Sequence, residues 1–437
     1  VLPLLAPHKI LEVFMKRLYR LGLCTVLVLA SAVFCSFANG TQDTEETGEI
    51  NLRWASIWVG NDSKAPAVEA LVNEYNAANE GKVKVIIEPQ PDYNAYEQKI
   101  RTSIAAGQAP ADIFTIKLNP TTATFYQSDL LMDFSKVGED GWLKTFDSGS
   151  MVQSNIDGVQ RSLPMETAIL PIWYNMDAFK KAGITKIPST MNEMWNDFDK
   201  LKAAGIAPTS QMTGDTNAWT SMIWFSHLAV SLGGINIWNK PFTDPAFVKA
   251  ATLMKRIISD YSTPDAVGLG AGGSGGHFLA GRTAIFSNGP WYAGRKDLAE
   301  TPFFDSIKIA GIPAAGSTTD FVISRLQANI CAAATKDSRR QAAILDFLKY
   351  LTKPENIKRI SESSGAMFAI KTDYVPENPL QKQFYDLANS TNKSSFDLEA
   401  ALGSEVTLEF EQQLSALVLG TITPDEFCRL VDAKIDR

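Results

Sequence analysis

The sequence predicts an α/β protein with a parallel, doubly wound lobe, its chain divided over two domains. Three observations lead there. Strand-like and helix-like segments alternate from Ile50 to Ile116. Later helix signals arrive with caps and terminators in order. The chain has 437 residues, more than one hydrophobic core usually supports.

Taken in order, Ile50 to Trp58 alternates apolar and polar side chains, as a half-buried strand does. Pro66 to Asn79 places Val68, Leu71, Val72 and Tyr75 at helical spacing. Val83 to Ile87 reads as a second strand, Tyr96 to Ala106 as a helix stopped by Gly107, and Asp112 to Ile116 as a third strand. A second lobe opens with the apolar run Leu163 to Tyr174, broken by Pro171. Thr190 and Glu193 have capping-box spacing ahead of the stripe Met194, Phe198, Leu201, and Gly205 ends that helix. Ser338 to Leu351 carries Ile344, Leu345, Leu348 and Leu351 on one face. Thr423-Pro424-Asp425-Glu426 sets a capping Thr, an N1 Pro and an N3 Glu in sequence.

The amino-terminal stretch reads as an export signal. From Met15, Lys16, Arg17 and Arg20 form a basic region, and Leu21 to Phe34 is apolar and uncharged. That run is shorter than the roughly 20 residues a spanning helix needs. Small residues suit cleavage after Ala38 or Gly40, which makes 15–38 a signal peptide and 1–14 an over-long gene start. Cys35 offers a lipidated alternative, although Ala32-Val33-Phe34 is a poor lipobox with a bulky residue before the cysteine. An extracytoplasmic location follows in either case.

The net charge is −7, and the leader holds four of the basic residues against one acid. So acidic a chain repels nucleic acid and anionic lipid. Outside the leader region only Cys331 and Cys428 remain, without CxxC spacing, and they read as buried small hydrophobes. His227 and His277 sit in no ligand-spaced cluster, so neither metal nor cofactor is expected. Gly268 to Gly276 matches GxGxxG and, around Ser274, GxSxG. No strand precedes it, no apolar helix is evident after it, and the only later histidine is His277, so it reads as a flexible loop.

Four segments carry a specific pattern. Ile104 to Phe114 contains Ala-Ala-Gly-Gln-Ala-Pro-Ala-Asp-Ile-Phe, and Leu163-Pro164-Met165-Glu166 leads to Trp173-Tyr174-Asn175-Met176-Asp177-Ala178-Phe179-Lys180-Lys181-Ala182-Gly183-Ile184. Phe278 to Trp291 ends Ser-Asn-Gly-Pro-Trp, and Ala343 to Gly365 is a helix pair. In this order they resemble the extracellular carbohydrate-binding proteins of ABC importers, of which the maltodextrin-binding proteins are best known. The resemblance implies two doubly wound α/β lobes joined by a multi-crossing hinge, with a ligand cleft between them. It sets the first lobe at 49–164 and 316–360 and the second at 165–315 and 361–437. It also implies a non-catalytic, monomeric protein that hands a sugar to the importer's transmembrane permease subunits.

Trp291 leads the candidate ligand-binding residues, since Gly289-Pro290 forces a turn that projects the indole from a strand end. An aromatic plane suits the apolar face of a pyranose, and fixed polar groups suit its hydroxyl rim. Glu166 interrupts an apolar run and could accept sugar hydroxyls or act as an interlobe structural acid. Trp58 and Asn61, Asn119, and Trp219 after the Gly214 to Asn217 turn complete the set. The Ser404 to Leu419 helix lacks aromatic residues near its start, which counts against maltose. A phosphorylated polyol would instead want cleft cations such as Lys117 and Arg325. A polysaccharide-active enzyme is the competing class, and would need two carboxylates roughly 5–10 Å apart across the cleft.

Overall fold

Strands fall into two sheets. In chain order they are β1 (Ile50–Ser56), β2 (Val83–Pro89), β3 (Ile113–Ile116), β4 (Leu163–Ile169), β5 (Ile172–Asn175), β6 (Ala207–Thr209), β7 (Thr283–Ser287), β8 (Ile307–Ala310), β9 (Val322–Ala332), β10 (Met367–Phe368) and β11 (Ser394–Ser395). The computed structural model describes residues 48–137, 141–156, 158–214 and 217–435. The segment expected as a leader, with the expected cleavage sites and Cys35, lies outside the described residues.

The larger sheet has the order β10-β4-β9-β3-β1-β2, with β11 paired to β9. The smaller has the order β6-β7-β5-β8. β1 pairs parallel with β2 and β3, as the strand–helix alternation requires, whereas β9 runs antiparallel to β3 and β4. Each sheet carries a core of its own. Leu52, Trp54, Leu71, Phe347 and Leu351 belong to that of the larger sheet, and Phe198, Phe225, Met254, Phe410 and Phe427 to that of the smaller.

The apolar run at 163–174 is not one element. Its first half pairs with β9 in the larger sheet, its second half with β7 and β8 in the smaller, and Leu170-Pro171 is the crossing. Pro171 has no N–H to donate to a ladder, so the break falls there. The chain returns before β9 and leaves again only after β10, which pairs with Thr167 and Glu166. Pairing within the larger sheet thus continues past the boundaries expected at 164 and 360, to Ile169 and Phe368.

Caps follow sequence chemistry closely. Thr190 Oγ1 accepts the Glu193 N–H at 3.2 Å, and Glu193 turns back to the Ser189 N–H at 2.7 Å. Thr423 Oγ1 likewise accepts from the Glu426 N–H at 3.1 Å. Cys331 and Cys428 are both free and fully buried, in different cores.

The glycine cluster corrects the expectation of a loop, because Ala271–Leu279 is helical. Tertiary contacts override its poor propensity. The Ala271 N–H donates to the Asn217 carbonyl, Phe278 is fully buried, and a Cβ on Gly275 would come within 2.8 Å of Tyr292 Oη. Ser274 points at Ser210 and His277 at Asp265, so no nucleophile–base pair forms.

Candidate functional site

A cavity of about 580 Å³ lies between the strand ends of the larger sheet and the helices over the smaller one. Its size suits a small-molecule site. Pro91, Asp92, Tyr93, Asn94 and Lys117 line one side; Asn217, Trp219, Met222, Ile223 and Trp291 line the other. A second cavity of about 410 Å³ shares Trp219 and Trp291, and is closed by Asn61, Asp62 and the glycine face of the Ala271–Leu279 helix.

The two shared tryptophans are the site's aromatic wall. Trp291 stands just after β7, in the one-turn segment Pro290–Tyr292, and Trp219 opens the Trp219–Gly233 helix. Their ring centroids are 6.2 Å apart at an interplanar angle of 50°. Gly289 is obligatory for this placement, since a Cβ there would sit 2.3 Å from the Trp291 ring. Both indoles are half-buried, with one face left to the cavities.

The polar floor is a buried charge network that sequence reasoning found only in part. Arg325 Nη1 bridges Asp397 at 2.8 Å and Glu399 at 2.7 Å, and Lys117 Nζ reaches Glu399 at 3.4 Å. Burial opposes ionisation of Glu399, but the charges of Arg325 and Lys117 outweigh it and hold the carboxyl down at about 2. The two cations proposed for a phosphate are thus already neutralised.

Glu411, on the Ser404–Leu419 helix, behaves oppositely. It is 5% exposed and lines the larger cavity, and Oε1 accepts the Ala218 N–H at 2.9 Å. Burial pushes it up to about 7, against the pull of that hydrogen bond. A carboxyl raised in the folded state binds its proton more tightly there, so its ionisation costs stability as pH climbs from the unfolded value through 7. Glu411→Gln is therefore expected to be more stable than wild type by about 3 kcal/mol at pH 8 and unchanged near pH 4. Denaturant midpoints at the two pH values check this.

Of the six expected site residues, Trp291, Trp219 and Asn61 line the cavities. The other three do not. Trp58 is fully buried and Glu166 is 1% exposed. Trp58 Nε1 donates to Glu166 Oε2 at 3.2 Å, and Lys64 Nζ to Oε1 at 3.2 Å, so both carboxylate oxygens are already engaged. Asn119 caps the Pro120–Ala123 turn through Thr122 and donates to Ser404 Oγ, joining the two halves behind the cavity. Lys64→Met should cost about 3–5 kcal/mol of stability by stranding a buried carboxylate. Ligand affinity of the folded fraction should be unchanged, as titration under native conditions would read.

Residues 61–358 match the model of the bacterial extracellular solute-binding proteins. The chain belongs to this family. Among curated relatives, the diacetylchitobiose binding protein DasA of Streptomyces coelicolor is 24% identical over 257 residues, 53% of this chain and 57% of that protein. The match thus spans little more than half of that relative's length. The sn-glycerol-3-phosphate-binding periplasmic protein UgpB of Shigella flexneri is 24% identical over 359 residues, 73% of this chain and 72% of that one. Among solved structures, a chitin oligosaccharide binding protein superposes with a TM-score of 0.81 at 20% identity, covering 88% of this chain and 98% of that one. The solute-binding protein RafE in complex with raffinose gives 0.73 at 18% identity, with coverage of 88% and 98%. These likenesses establish the two-lobed fold of the family. Among the described residues no helix is long and apolar enough to cross a membrane, and no cluster of His, Cys, Asp and Glu could hold a metal.

Proposed function

We propose that this member of the family is the extracytoplasmic glycan-capturing subunit of an ABC importer, a non-catalytic protein that closes on a sugar and delivers it to permease subunits. The observation that carries this reading is the Trp219–Trp291 wall facing a polar floor across a cleft between two sheets. Aromatic faces cover the apolar C–H faces of a sugar while fixed donors and acceptors meet its hydroxyls. DasA, RafE and the chitin oligosaccharide binding protein, which bind diacetylchitobiose, raffinose and chitin oligosaccharides, support it.

The floor argues against the two alternatives. A phosphodiester would meet Lys117 and Arg325 already paired with Asp397 and Glu399. A glycosidase needs two carboxyls free for the substrate, an acid and a nucleophile or base. Glu411 could supply the first, but Glu399 is tied to Arg325 and Lys117, and Asp397 is fully buried against Arg325.

A thermal-shift screen over mono- and oligosaccharides, run with a turnover assay on the same sugars, tests the reading. Ligand that binds only the native state raises stability, by about 2.7 kcal/mol at a hundredfold excess over Kd. The expected result is at least one stabilising glycan that is recovered intact. Cleavage of it, or stabilisation by glycerol phosphates alone, would overturn the assignment.

A further inference from the structure

Among the described residues, the larger cavity contains one buried charged group without an opposite charge. Lys117 and Arg325 are tied to Glu399, and Arg325 also to Asp397. Lys117 Nζ further sits 4.2 Å from the centre of the Tyr93 ring. Asp92 is occupied in capping the Ala95 N–H. Glu411 is left over. Its Oε1 takes the Ala218 N–H, and no hydrogen bond or ion pair among the described residues engages Oε2. The cavity thus sets two cations against four acids; of the two acids in surplus, Asp92 is exposed, whereas Glu411 is 95% buried in the cavity that Trp219 and Trp291 also line.

A desolvated carboxylate and an aromatic face share one preferred ligand. Ammonium pairs with the first by a charge-assisted hydrogen bond and is attracted to the negative face of the second. A hydroxyl satisfies the hydrogen bond but leaves the buried charge uncompensated. We propose that the captured ligand is an amino sugar carrying a protonated amine, and that Glu411 is the residue that selects it. This deepens the glycan-capture reading and rests on it.

The neighbours of Glu411 give the selection a pH signature. Ala218 at the start of the Trp219–Gly233 helix donates to it, the charge of Glu399 opposes its ionisation, and that of Lys117 favours it. Across the cavity stand Asp92, Arg325 and Asp397. Because Glu411 ionises near 7, affinity for an amine rises as pH climbs through that value. It falls again where the amine loses its proton.

The β-1,4-linked disaccharides of glucose, glucosamine and N-acetylglucosamine share one skeleton and differ only at the C2 substituent. Each is titrated calorimetrically against the wild-type protein and Glu411→Gln at pH 7.5, with the glycans that stabilise the protein in the screen alongside. The expected result is a glucosamine dimer bound at least about tenfold more tightly than the glucose dimer, a preference lost in Glu411→Gln. Gln keeps an oxygen for the Ala218 N–H, and the stability gain at pH 8 confirms that the variant is folded. Equal or weaker binding of the aminated sugar, or a preference that survives Glu411→Gln, overturns the proposal. If a neutral glycan binds and the glucosamine dimer does not, the amine assignment falls and glycan capture stands. If no glycan binds, both fall.

Discussion

Trp291→Ala is expected to weaken glycan binding by about 2–3 kcal/mol, a loss of roughly 30- to 150-fold in affinity. The indole is half-buried against the apolar cores of both the helices and the smaller sheet, and it presents a face to two cavities. Truncation removes that face and only part of a core contact. A wholly buried tryptophan such as Trp173, which donates to the Asn288 carbonyl and packs on four aromatic rings, would instead cost about 3–5 kcal/mol of folding stability. Affinity and unfolding midpoint measured on one sample separate the two outcomes. Gly289→Ala gives an independent check, because its backbone is extended, at φ −91° and ψ 179°, and only the Trp291 ring, not the backbone, resists a Cβ. The new methyl displaces the Trp291 ring, so affinity should fall with little loss of stability. Unchanged affinity in both variants would return Trp291 to the core.

Arg325→Leu should be the most destabilising substitution in the cleft, at about 3–5 kcal/mol, because it leaves Asp397 and Glu399 buried together without their guanidinium. Lys117 reaches only Glu399, so Asp397, fully buried, has no replacement partner. The loss should shrink as pH is lowered and the carboxyls protonate, a trend visible in chemical denaturation between pH 7 and pH 4. A variant as stable as wild type at pH 7 would mean that the network is not held together by Arg325.

Much of the fold was legible because local signals and tertiary structure agree. β1, β2 and β3 and the helices between them fall within a few residues of their periodic patterns, and the caps at Thr190 and Thr423 form as spaced. Misreadings occur where a tertiary contact decides. No local pattern reveals that Leu163–Ile169 and Ile172–Asn175 enter different sheets, since both are simply buried. Four glycines in nine residues speak against a helix, and tertiary contacts such as those of Asn217, Tyr292 and the buried Phe278 offset them.

The site divides in the same way. The placement of Trp291 at the cavities was legible because Gly-Pro-Trp after a strand is a local device. Trp58 and Glu166 carried strand-end and interrupted-stripe signals too, yet Trp58 is satisfied by Glu166, and Glu166 by Trp58 and by Lys64, 102 residues away. Glu411 had a usable signal of its own. It falls on the helix face of Val406, Phe410, Leu414 and Leu417, and an acid on an apolar face needs a partner or a task. Asp397 and Glu399 gave no such sign, because an Asp-x-Glu beginning a helix is ordinary capping.

The location of ligand binding is tested most directly by hydrogen exchange with and without a glycan that stabilises the protein. If the sugar lies between the two walls, amides at Asp92–Asn94 and Lys117 on one side and Asn217–Ile223 and Trp291–Ala293 on the other should slow together at saturation. Glu166 and its neighbours on β4, already buried, should change little. A glycan that binds while both walls exchange as in the free protein would contradict capture at the Trp219–Trp291 cleft.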